Sequence, residues 1–184
     1  MEVLCGFVFH TEKSILRRYI LRIFGVDPGY AIAGWGVVDY KGSSFKTLAY
    51  GAITTKAGVK PERRLQIIYD ELTRLLKLYK PEAMAVEELF FNTNQKTAIV
   101  VAEARGVILL AAQNLGIEIF EYTPLQVKQS VVGYGRAEKS QVITMTTKLL
   151  GLKEAPKPDD AADALAIAVC HAHTGSSRIA AFFN

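Results

Sequence analysis

The sequence predicts an α/β fold in which a mixed sheet gathers acidic residues at one edge. Three observations predict it. Short apolar runs near the start of the chain are punctuated by turn signals such as Asp27-Pro28-Gly29, the pattern of an antiparallel meander. An amphipathic stretch from Pro61 to Tyr79 then leads into a further apolar run, Met84-Ala85-Val86, as a helical crossover leads into a parallel strand. Close to the C-terminus, an alanine-rich segment from Asp159 to Cys170 reads as a helix slim enough to lie against that sheet.

Each element has its own warrant. Ile23-Phe24-Gly25-Val26 is a short buried strand that stops at Asp27-Pro28-Gly29. Ile32 to Val38 is a second strand, with Gly34 and Gly36 where bulk would obstruct, and Lys46 to Thr54 is a third. The helix Pro61 to Tyr79 carries Leu65, Ile68, Leu72, Leu75 and Leu76 on one stripe. The strand Met84 to Val86 ends in Glu87-Glu88, and alternation turns Glu88 to the opposite face from Glu87. Thr97 to Ala112 is broken by Glu103 and Arg105 and reads as a buried helix rather than a membrane span. Within it, Ala104 and Gly106 mark a closely packed turn, so Arg105 is expected to be structural. Gly133-Tyr134-Gly135-Arg136 is a flexible turn before a helix beginning near Ala137, a place that welcomes phosphate.

The acids are the chemistry. A strand that follows a crossover helix lies parallel to the first strand, so Asp27 and Glu87 reach the same carboxyl edge, where open α/β sheets place ligand sites. Asp160 and Asp163 are three apart and share one face of the last helix, while Asp159 is better placed to cap it. Capping alone would explain an Asp at a helix start. Convergence with Asp27 and Glu87 would not be explained that way. Carboxylates pressed together lose hydration and repel, so at least one takes up a proton unless a cation joins them. An all-oxygen acidic set suits hard cations such as Mg²⁺ or Mn²⁺.

Other classes lose ground. The chain has 184 residues, half of them hydrophobic, which fits one domain with a single core. Cys5 and Cys170 give no disulfide framework and suit a reducing, cytoplasmic setting. There is no Cys/His zinc spacing, no Ser-His-Asp grouping and no nucleotide-binding glycine loop. His171 falls eight residues after Asp163, too far for one metal centre, and is read as a surface or interface residue. His10 and His173 carry no argument. A net charge of +4 despite the acid cluster leaves the remaining surface basic, which favours nucleic acid as a partner.

Six blocks stand in register with a known family: Gly25-Val-Asp-Pro-Gly29, Ala85-Val-Glu-Glu-Leu-Phe90, Glu103-Ala-Arg-Gly106, Gln126-Val-Lys-Gln129, Val131 to Gln141, and Asp160-Ala-Ala-Asp-Ala-Leu-Ala-Ile-Ala168. From about Arg22 to about His173 the chain resembles the RuvC-type Holliday-junction resolvases of the ribonuclease H-like superfamily. The resemblance implies an α/β, ribonuclease H-like mixed five-stranded sheet flanked by helices. It implies a domain over residues 21–175, a tail at 176–184, and an extension at 1–20 that is either disordered or an upstream start codon. Residues 1–20 lack the order of a secretory signal, since Lys13, Arg17 and Arg18 follow the apolar run.

By the same resemblance Asp27, Glu87, Asp160 and Asp163 are the catalytic and metal-holding acids. The cofactor it implies is Mg²⁺, two ions per active site, with Mn²⁺ able to substitute. Lys128 and Lys139 take DNA phosphates, and Phe90 stacks on an unpaired base at the crossover, while Phe91 belongs to the core. The implied activity is paired nicking of four-way DNA junctions in recombination and repair, leaving 5′-phosphate and 3′-hydroxyl ends. A homodimer and the RuvA–RuvB branch-migration complex are the implied partners. Two other readings stand beside it: a ribonuclease H-like nuclease with a different substrate, and a junction binder whose acids hold a structural cation.

Overall fold

A computed structural model describes residues 20–88 and 95–182. Five strands form one sheet: β1 (Leu21–Asp27), β2 (Ile32–Lys41), β3 (Ser44–Thr54), β4 (Ala83–Glu87) and β5 (Glu118–Tyr122). Five helices accompany them: α1 (Pro61–Tyr79), α2 (Gln95–Gln113), α3 (Pro124–Val132), α4 (Lys139–Leu149) and α5 (Asp159–Phe182). The strand order is β3-β2-β1-β4-β5, with the first three strands antiparallel and β4 and β5 parallel to β1. The meander and the parallel crossover that the sequence predicts are therefore both present. Helix α1 has the bounds read from its apolar stripe, and Ile68, Leu72, Leu75 and Leu76 are its buried residues. No helix among the described residues is long and apolar enough to cross a membrane.

The sheet separates two apolar layers. On one side Phe24, Val26, Val37, Met84 and Val86 pack against α1 and α2 through residues such as Ile68, Leu72 and Ile108. On the other, Ile23, Val38 and Ala85 meet α5 and the apolar faces of α3 and α4. Strand alternation sends successive side chains to opposite layers, which is why Ile23 and Phe24 are both buried yet belong to different cores.

Helix α5 is the centre of the second layer, and small residues let it lie close. A Cβ on Gly25 would collide with the carbonyl oxygen of Ala164 and reach Ala168, and one on Gly34 would collide with the carbonyl of Asp160. In both places the obstacle is backbone, which cannot yield by rotating a side chain. Gly34→Ala should therefore push the start of α5 off the sheet at a cost of about 1–3 kcal/mol. A melting midpoint unchanged from wild type would show that the helix has room to spare.

Candidate active site

The register of the sheet sets the first two acids side by side. Val26 pairs with Val86 across the parallel β1–β4 ladder, so Asp27 and Glu87 are the next residues on adjacent strands. Gly34 is the antiparallel partner of Asp27 on β2, and the backbone of Asp160 rests over that glycine. Asp160 therefore reaches the strand ends because β2 has no side chain there. Asp163 follows three residues later on the same side of α5.

The electrostatics show that these groups feel one another. Asp27 is pushed up from 3.8 to about 7, first by burial and then by Glu87, Asp163 and Asp160 in turn, with Lys139 pulling it back. Glu87 is also raised, by burial and then by Asp163, while Lys139 and Lys128 lower it. Glu88 and Asp159 are exposed, and neither is among the groups that shift Asp27. Asp159 is the first helical residue of α5 rather than the residue before it.

Lys139 reaches into the cluster. Its Nζ donates to Asp163 Oδ2 at 2.7 Å, and the ammonium is held above its ordinary pKa chiefly by that bond, with Asp159 and Asp27 adding to it. Lys128 and Lys139 line a cleft of about 250 Å³ together with Glu87, Val127, Val142 and Asp163. The structure thus brings both lysines to the acids.

The helix behind Lys139 begins later than the sequence predicts. Ala137 is buried, and α4 starts at Lys139, with Gln141 Oε1 accepting from the Glu138 amide at 2.8 Å. An acidic residue stands at this helix start, so it is a poorer phosphate seat than the preceding turn suggested. Phe90 and Phe91 lie outside the described residues, so their assignment stands where the sequence left it.

Two further expectations are corrected. His171 is not a surface residue: it is 3 % exposed, its Nδ1 lies 2.7 Å from the Tyr122 hydroxyl, and its ring centroid is 4.4 Å from that of Phe120. It shares the sheet-facing side of α5 with Asp163, and two turns on, that side meets β5. Gly106 does not mark close packing, because an added Cβ there would meet nothing within 4 Å. Arg105 is structural for another reason: it pairs with Glu121 at 2.8 Å, and its Nε donates to the Glu87 carbonyl at 3.5 Å. It ties α2 to the ends of β4 and β5. Nothing in the sequence pairs Tyr122 with His171 or Arg105 with Glu121, because these pairs join segments whose spacing is set only by the folded sheet.

Whether the acids fit a cation turns on their chemistry. Among the described residues no three His, Cys, Asp or Glu side chains are grouped closely enough to hold a metal ion as they stand. The donor set is nevertheless all oxygen, and Asp27 is raised first by burial and then by repulsion from Glu87, Asp163 and Asp160, both of which a bound cation would offset. Asp163 already turns one carboxylate oxygen to an ammonium. The residues fit a hard divalent cation.

A family model described as crossover junction endodeoxyribonuclease RuvC matches residues 23–171. The chain belongs to the RuvC family. It is 60% identical over 154 residues to the RuvC of Alkaliphilus oremlandii, covering 84% of this chain and 94% of that protein. Its fold is similar to that of Thermus thermophilus RuvC in complex with a Holliday junction substrate, at a TM-score of 0.83 and 38% identity, over 86% of this chain and 96% of that one. The yeast mitochondrial Holliday junction resolvase Ydc2 shares the fold at a TM-score of 0.63 and 13% identity, covering 91% of this chain and 85% of that one. The ribonuclease H-like α/β architecture expected from the sequence is thus the architecture found, and the chain is an endodeoxyribonuclease of the RuvC type.

Proposed function

We propose that this protein resolves four-way DNA junctions by paired, metal-dependent hydrolysis of phosphodiester bonds, leaving 5′-phosphate and 3′-hydroxyl ends. The observation that carries the reading is the acidic sheet edge: Asp27 raised to about 7 by burial and three neighbouring carboxylates, with Lys139 bonded to one of them. Such an edge repels a phosphodiester unless cations intervene, and a protein that only bound junctions would gain nothing from it. Divalent cations, two per site and Mg²⁺ in the cell, would supply charge neutralisation at the scissile phosphate and a water of lowered pKa. Asp27, Glu87, Asp160 and Asp163 would hold them, and Asp27 must give up its proton to do so, which links cation binding to proton release. Lys128 and Lys139, at the mouth of the same cleft, would grip phosphates of the cut strand. Phe90, directly after the strand that delivers Glu87, would occupy the crossover and stack on an unpaired base.

A junction has near two-fold symmetry, so paired cuts call for two sites related the same way. Helix α2 offers a face for self-association. Ile99 and Leu110 are 62% and 52% exposed, and Gly106 between them is open, all on one side of the helix. A homodimer with two acidic edges facing opposite strands is the assembly proposed. The RuvA–RuvB complex is the partner that family membership suggests.

The test is cleavage of a synthetic four-way junction, its component duplexes and an RNA–DNA hybrid, each in Mg²⁺ and in chelator. Junction cutting is expected to exceed duplex cutting by at least about a hundredfold and to vanish with chelator. Equal cutting of all three substrates would point to a broader ribonuclease H-like nuclease. Junction binding with no cutting in any divalent metal would leave a binding protein.

A further inference from the structure

The active edge of the sheet does not end at Asp27. Strand β3 is antiparallel to β2, which is antiparallel to β1, so the end of β3 at Thr54 faces the same way as the end of β1. Ile32, the first residue of β2, pairs with Thr54 there. At about 4.8 Å per strand, the end of β3 is roughly 10 Å along the edge from β1. On the far side of the acids from Lys128 and Lys139, four cations follow within nine residues: Lys56, Lys60, Arg63 and Arg64.

These charges are placed where local stability would not put them. Lys60 is the N-cap residue of α1 and makes no side-chain cap bond, and Arg63 and Arg64 lie in the first turn. The positive end of a helix dipole disfavours cations, and only Glu62 offsets them locally. None of the ion pairs found among the described residues involves any of the four. Lys56, Lys60 and Arg63 are exposed.

Arg64 is held without a carboxylate. Its Nε donates to Thr55 Oγ1 at 2.7 Å, its Nη2 to the Tyr30 carbonyl at 3.3 Å, and its guanidinium lies 3.8 Å from the Tyr30 ring centroid. Thr55 Oγ1 in turn donates to the same Tyr30 carbonyl at 2.7 Å. The clamp fixes a positive charge against the turn that follows Asp27, and neutral groups satisfy its hydrogen bonds while leaving its charge uncompensated.

Resting on the proposed junction activity, we infer that Lys56, Lys60, Arg63 and Arg64 form a second phosphate-binding shoulder, which takes the DNA backbone of the arm adjoining the cut. A separation of roughly 10 Å along one strand corresponds to about three nucleotides at 3.4 Å rise each. A backbone lying across the edge would then meet Lys128 and Lys139 on one side of the scissile bond and this shoulder on the other. The partner is identified by charge alone, a polyanion continuous with the substrate, so the shoulder should contribute affinity and no sequence preference.

The experiment is junction binding by full-length protein as a function of salt, comparing wild type, the triple variant Lys56→Ala/Lys60→Ala/Arg63→Ala, and Lys128→Ala. Each basic side chain that neutralises a phosphate should add about 0.9 to the slope of log affinity against log salt. The triple variant is expected to fall below the wild-type slope by about two to three such increments, and Lys128→Ala by about one. All three substituted side chains are exposed, so the melting midpoint should stay at the wild-type value; if it falls, Arg64→Gln, which keeps the bond to Thr55, replaces the triple variant in the same titration. A wild-type slope in a folded variant would overturn the shoulder. Failure of the wild-type protein to prefer junctions over duplex would instead sink the activity proposed above, so the two failures are distinguishable.

Discussion

Asp27→Asn, Glu87→Gln, Asp160→Asn and Asp163→Asn are each expected to lower junction cleavage by on the order of a thousandfold while largely sparing junction binding. The amides keep the shape of the side chains and remove the charge that would hold divalent cations. Loss of a group that stabilises charge developing in a reaction typically costs on the order of a hundred- to a thousandfold. Removing one acid also relieves the others: without Asp163, Glu87 loses the largest of its charge repulsions. Folding should therefore survive, and metal-free stability should rise. Glu88→Gln and Asp159→Asn are the controls, because both residues are exposed and stand outside the field that shifts Asp27. Robust cutting by Asp163→Asn in Mg²⁺ would remove that residue from the chemistry and leave Lys139 bonded to it for structural reasons alone. Gel assays of single-turnover cleavage, with binding measured on the same variants, separate the two effects.

In chelator, the protein should become less stable as the pH rises from about 4 to about 7. Asp27 has its folded-state pKa raised from 3.8 to about 7, so within that window the folded chain holds a proton that the unfolded chain has released. Stability falls wherever the folded state binds more protons than the unfolded state. The loss begins above the unfolded value and is complete above the folded one. Three pK units correspond to roughly 4 kcal/mol at 1.36 kcal/mol each. The raised Glu87 adds to the same slope with the same sign. Divalent cations held by the ionised acids would restore stability, more at pH 8 than at pH 5. Melting curves in chelator across this range, for wild type and Asp27→Asn, measure it. The variant should show a flatter profile, and an equal slope in both proteins would mean that Asp27 ionises normally.

Much of this was written locally in the chain. The stripe in α1 fixed a helix from Pro61 to Tyr79, and its length and apolar face required a crossover that makes β4 parallel to β1. Parallel strands end at the same edge, so the meeting of Asp27 with Glu87 follows from strand order and residue position. The spacing of Asp160 and Asp163 likewise assigned both to one helical face, and alternation separated Glu87 from Glu88.

Other features were decided only when distant segments met. Periodicity placed His171 on the same face as Asp163 but could not say that two turns later this face would meet Phe120 and Tyr122. The family resemblance marked Lys139 as a phosphate contact, and only the packing of α4 beside α5 put its ammonium 2.7 Å from Asp163. The shoulder at Lys56 to Arg64 was invisible as well, since a few basic residues after a strand ordinarily mark a solvated turn. The distinction is physical. Periodicity and propensity act over one or two turns of chain, so sequence determines which face a side chain occupies. What that face touches, and hence its burial, its partner and its charge state, depends on segments brought together by the sheet.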